Sequence, residues 1–62
     1  MEKEFRMSVT NITQAISVLS EAGIEASTDG TAIKLRVPEQ TKTDAIVLLN
    51  KEKVIIYDIE EI

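Results

Sequence analysis

The chain contains no cysteine, no histidine and no tryptophan, and it has only one proline, two glycines, one phenylalanine and one tyrosine. Each shortage excludes something. Without cysteine there is no disulfide framework and no thiolate chemistry, and without histidine the commonest metal ligand and neutral-pH general base are missing. Ser8, Ser17, Ser20 and Ser27 therefore have no imidazole to activate them as nucleophiles. Gly23 and Gly30 are too far apart to form the closely spaced run that a phosphate-cradling loop needs. Thr41-Lys42-Thr43 carries the Lys-Thr pair that ends such a loop, but without the preceding glycines it reads as the start of a helix. Long hydrophobic runs are also absent: the longest, residues 45–49 and 54–57, fall far short of the ~18 residues of a membrane-spanning helix. Positive charge is scarce as well. Seven Lys and Arg stand against eleven Asp and Glu, a net charge of −4, which is the wrong sign for neutralising many phosphates, so nucleic acid is not the expected partner.

What is present is enough for one small domain over residues 1–62. The chain is 44% hydrophobic and 29% charged, with a mean hydropathy of zero, as in a soluble globular module. A chain of this size buries only about 60% of the surface its unfolded form exposes, so its single core must be economical. Residues 1–4, Met-Glu-Lys-Glu, lead into a strand-like pattern and do not read as a signal peptide, so a cytoplasmic location is expected.

Phe5, Met7 and Val9 alternate with Arg6 and Ser8, which predicts a strand over residues 3–9. The period then changes. Ile12, Ala15, Ile16, Leu19 and Ala22 recur at spacings of three and four, the signature of one helix face. Asn11 suits the N-cap, with Gln14 placed to reach back, and Gly23 suits the left-handed position after the last turn, with Ile24 set to touch Leu19. A second strand is expected over residues 24–28. It runs into Asp29-Gly30, a pair favoured in two-residue type I′ hairpins. Ile33, Leu35 and Val37 alternate with Lys34 and Arg36 in a third strand that ends at Pro38. Thr41 and Asp44 form a capping box ahead of a helix reaching about residue 50, with Ala45, Ile46, Leu48 and Leu49 as its apolar stripe and Lys51 and Lys53 near its end. Residues 54–59 close the chain as a β-branched strand.

This order predicts an α+β, ferredoxin-like βαββαβ fold: a four-stranded antiparallel sheet, lateral order fourth, first, third, second, with both helices on one face. Phe5, Met7, Val9, Ile33, Leu35, Val37, Ile55, Tyr57 and Ile59 are expected beneath the helices. Arg6, Ser8, Glu25, Ser27, Lys34, Arg36, Ile56 and Asp58 are expected on the other face, with central bases paired to acids on both edge strands.

Candidate sites are few. Asp58 and Glu60 fall on one side of the last strand and Glu61 on the other, a spacing that could serve acid–base or hard-cation chemistry but that suits an edge strand protected by charge. Arg6, Lys34 and Arg36 form the one basic patch that the fold assembles from distant sequence. With Phe5 and Tyr57 both expected in the core, no aromatic is left to stack on RNA bases, so the patch reads as a salt-bridged or partner-docking surface. No catalytic, metal-binding or cofactor-binding constellation is expected.

Residues 11–59 resemble the small C-terminal accessory domain of bacterial ABC-transporter ATP-binding subunits of the multidrug and bacteriocin export type. The resemblance lies in Ala22-Gly23-Ile24 after the first helix, Asp29-Gly30 at the hairpin, Ile33-Lys34-Leu35-Arg36-Val37, and Val54-Ile55-Ile56-Tyr57-Asp58-Ile59 as the closing strand. It implies that the chain belongs to a longer protein whose nucleotide-binding parts lie in a preceding domain. It also implies a non-catalytic role, docking on the ATPase domain or another subunit, with Arg6, Lys34, Arg36 and Ile56 as the contact surface. A homodimer through a sheet edge is open. An ACT-like regulatory module shares the topology and is the alternative, although its usual glycine-bearing ligand loop is replaced here by Val9-Thr10-Asn11.

Overall fold

Alternation, capping and turn chemistry produce six elements in the expected order: β1 (Glu2–Val9), α1 (Ile12–Glu21), β2 (Ser27–Thr28), β3 (Ile33–Pro38), α2 (Glu39–Lys51) and β4 (Ile56–Glu61). The computed structural model describes all 62 residues. The four strands form one antiparallel sheet in the order β2-β3-β1-β4, which read from the opposite edge is the expected line of neighbours. Both helices lie on one face, where Ala15 and Leu19 of α1 and Ala45 and Leu49 of α2 join Phe5, Met7, Val9, Ile33, Leu35 and Val37 in a single core. Fully burying a Val, Leu, Ile, Phe or Met side chain contributes about 1.5–3 kcal/mol, and ten of the twelve core residues are of these kinds, the other two being Ala15 and Ala45.

The two halves repeat at an interval of 30 residues. Ala15 and Ala45, Leu19 and Leu49, Ile24 and Val54, Phe5 and Leu35, and Met7 and Val37 are all buried. Phe5 and Leu35 also face each other in the β1–β3 register, which places that pair on the pseudo-twofold axis. The helix ends repeat too. The amide of Ile24 donates to the Leu19 carbonyl at 2.8 Å and that of Gly23 to Ser20 at 3.0 Å; thirty residues on, Val54 donates to Leu49 at 2.9 Å and Lys53 to Asn50 at 3.0 Å. These are two Schellman caps, each needing a left-handed residue after the helix. Gly23 supplies it at φ +80°, whereas the second cap uses Lys53 at φ +65°.

Several local expectations are corrected. The Asp29-Gly30 turn is not a two-residue hairpin. Thr28 pairs with Ile33, so four residues form the loop, and the Asp29 carboxylate fixes it by accepting the amides of Thr31 (3.0 Å) and Ala32 (3.1 Å). β2 shrinks to Ser27–Thr28, and Glu25 lies outside it while Ile24 is buried. The helix α2 begins at Glu39, not at a Thr41–Asp44 box, because Pro38 holds extended geometry (φ −64°, ψ 157°) as its N-cap without a side-chain bond. Asn11 does cap α1, accepting the Gln14 amide at 3.0 Å, but the Gln14 side chain does not reach back; its Nε2 donates to the Glu52 carbonyl at 3.2 Å and ties α1 to the end of α2.

The largest correction concerns the last strand. Val54 is 1% exposed and closes the second cap, while Ile55 and Tyr57, expected beneath the helices, are 61% and 67% exposed. Ile56, expected on the opposite face, packs against the core and pairs with Val9. A β-bulge is the cause. Ser8 faces Asp58 while Val9 faces Ile56, leaving Tyr57 as the extra residue and breaking the alternation that the assignment assumed.

Candidate functional site

Residues that alternate with the buried ones form the sheet face away from the helices. The registers align them in rows. Glu60, Arg6, Lys34 and Ser27 cross the sheet together, with Asp58 opposite Ser8 on one side of that row and Glu4 opposite Arg36 on the other. The face is therefore divided by charge: acids on β4, bases on β3, and Arg6 between them.

The structure brings Arg6, Lys34 and Arg36 together as expected and separates Ile56 from them, since Ile56 sits on the core side. Arg6 is already engaged. Its Nη2 donates to Thr31 Oγ1 at 2.8 Å and to Asp29 Oδ2 at 3.1 Å, so it braces the β2–β3 loop and does not pair with Glu60 across the strand. Asp29 gathers donors from the Thr31 amide and hydroxyl, the Ala32 amide and the Arg6 guanidinium. Together, with Thr31 foremost, they hold its carboxyl well below the usual carboxylate range. Arg6 is thus a structural member of the surface.

Lys34 and Arg36 are different. Lys34 enters none of the ion pairs, and Arg36 Nε comes only to 4.0 Å from Glu2 Oε1, with both side chains largely exposed. An exposed pair at that distance contributes little. Two adjoining surface hollows share Ser27, Lys34 and Arg36, one completed by Glu25 and Ala26, the other by Glu4 and Leu35. The two cations stand two residues apart on a rigid strand beside a concave surface.

A second charged group, on the helix side, was not foreseen. Lys3 Nζ lies 3.2 Å from Glu39 Oε1 and 3.8 Å from Glu61 Oε1, and Lys42 Nζ lies 2.6 Å from Glu39 Oε2 and 5.1 Å from the centre of the Phe5 ring. The Lys42 hydrogen bond, then that of Lys3, lowers the Glu39 carboxyl, while Glu39 and then Glu61 raise Lys3. Opposite charges here satisfy one another. Glu39 and Lys42 are a local pair three positions apart on α2, whereas Lys3, 36 positions from Glu39, joins them only through the sheet.

No protein-family model, curated protein or solved structure matches the chain at a level that shows kinship. No helix is long and apolar enough to cross a membrane.

Proposed function

We propose that the domain is a non-catalytic interaction module that docks on an acidic protein surface through the Lys34–Arg36 side of its open sheet face. The observation that carries this reading is the pair of side-by-side cations without committed partners in a chain of net charge −4, where the other bases of the sheet, Lys3 and Arg6, are each held by carboxylates. Charge placed this way steers association and rejects wrong partners. The resemblance of residues 11–59 to the accessory domain of ABC-transporter ATP-binding subunits supplies the partner: the ATPase domain of such a transporter, or its dimer mate, on the cytoplasmic side of the membrane.

The test is titration of the chain with the separately expressed ATPase domain of the same genome. Binding should weaken about tenfold or more in a Lys34→Glu/Arg36→Glu variant and fall with added salt. Equal binding by the variant, or no binding by the parent chain, would refute the docking surface.

A further inference from the structure

The two edges of the sheet are unlike. The edge strand β2 has two residues, both polar, whereas β4 has six and carries or adjoins most of the apolar surface left exposed. Of the six large hydrophobic residues that remain exposed, Ile55, Tyr57, Ile59 and Ile62 lie within the final eight positions. Charge on an edge ordinarily protects it from pairing. Protection does not call for isoleucine and tyrosine beside the charge, and their combination on one edge is what a docking strand presents.

The backbone of β4 is open along its outer side. Ile62 donates its amide to the Glu4 carbonyl at 2.8 Å, so alternation turns the amides of Glu60 and Asp58 toward β1 and those of Ile59 and Glu61 outward. Asp58 and Glu60 share the open face, neither enters an ion pair, and Arg6, which faces Glu60 in register, is held by Asp29. β4 itself contains three acids and no base.

We propose that β4 receives an extended basic segment of a partner protein as a fifth strand. Alternate lysines or arginines of that segment face Asp58 and Glu60, and its apolar residues lie on the Ile59 side. Main-chain bonds to the outward groups of Ile59 and Glu61 supply the register, and the carboxylates supply the selectivity. A second copy of β4 is the wrong chemistry: antiparallel pairing about Ile59 would set the Asp58 and Glu60 of each copy against those of the other, four carboxylates on one face.

The experiment is an NMR titration of the isotope-labelled chain with a capped hexapeptide alternating lysine and valine, beside a matched peptide alternating glutamate and valine. The basic peptide should shift the Ile59 and Glu61 amides and slow their hydrogen exchange, and an Asp58→Asn/Glu60→Gln variant should bind it about 2- to 30-fold more weakly. Binding of both peptides alike, shifts confined to other strands, or no binding at millimolar peptide would overturn the proposal. Sedimentation showing self-association that the Asp58→Asn/Glu60→Gln variant strengthens would overturn it in favour of a second copy. Lys34→Glu/Arg36→Glu should leave peptide binding unchanged, so this edge and the basic face stand or fall separately.

Discussion

Exchanging the residues that turn the chain after each helix tests the internal repeat. Lys53 holds φ +65° where its counterpart Gly23 holds φ +80°. A left-handed conformation costs an L-residue about 1–2 kcal/mol, while glycine gives back about 0.5–1 kcal/mol through its greater freedom in the unfolded chain. Lys53 is exposed and enters no ion pair, so truncating it removes no native contact of consequence. Lys53→Gly should therefore stabilise the domain by about 0.5–1 kcal/mol, raising the melting temperature by about 2–8 °C at the sensitivity of a domain this small. The reciprocal Gly23→Ala should destabilise by about 1 kcal/mol. A Cβ built there meets no atom within 4 Å, so the cost is one of backbone conformation alone. Urea denaturation followed by circular dichroism reads both, and the slope should stay constant while the midpoints move in opposite directions. A destabilised Lys53→Gly, or a neutral Gly23→Ala, would refute the equivalence of the caps.

The Asp29 carboxyl is depressed in the folded state, so as pH falls the unfolded chain takes up the proton first. Its stabilising contribution is whole above the ordinary carboxylate value and is lost as pH falls below that toward the folded one. Asp29→Asn should thus be less stable than the parent at pH 7, with the gap narrowing from about pH 5 to about pH 2; urea midpoints showing a gap independent of pH would count against this account. The corrected last strand predicts that Val54→Ala costs about 1.5–3 kcal/mol whereas Ile55→Ala costs under about 0.5 kcal/mol, and equal thermal shifts would contradict the assignment.

The legible parts of the fold were those where a single period ran uninterrupted. Phe5, Met7 and Val9 alternate cleanly, as do Ile33, Leu35 and Val37, and all six are buried. Ala15 and Leu19 announce the inner face of α1 in the same way. The last strand could not be read so, because Val54-Ile55-Ile56-Tyr57 is apolar at every position and offers no alternation to choose between faces. Its facing was decided by the cap on α2, which buries Val54, and by the bulge at Tyr57, both tertiary facts. At the hairpin the residue pair was right and the loop length wrong. Asp29 with Thr31 two positions on carries the mark of a side-chain-closed turn, and that local bond outcompeted the tight hairpin. The basic patch was legible for Lys34 and Arg36, whose neighbours on β3 fix their face. Arg6 lies on the same face as expected, while its partner Asp29, 23 positions away in a loop, could not be read from the strand pattern.

The repeat also explains why the sheet has one quiet edge and one available edge. Ser27 stands opposite Lys34, so an unbroken 30-residue repeat would set Tyr57 opposite Glu4; Ile62 stands there instead, five positions later. The second half therefore lays more chain along β1 than the first lays along β3. The bulge at Tyr57 accommodates one residue of that excess, and the remainder extends pairing along β1 from Val9 to Glu4. In the first half, Asp29 and Gly30 end the strand at Thr28, and Arg6 locks the turn. Ten of the twelve core positions obey the symmetry, because both halves must fill one layer beneath the helices; Val9 and Ile33, whose counterparts are Glu39 and Lys3, do not. The edge strands are released from it, since each borders solvent on one side, and that release leaves Asp58, Ile59 and Glu60 along an open edge while the opposite edge ends after two residues.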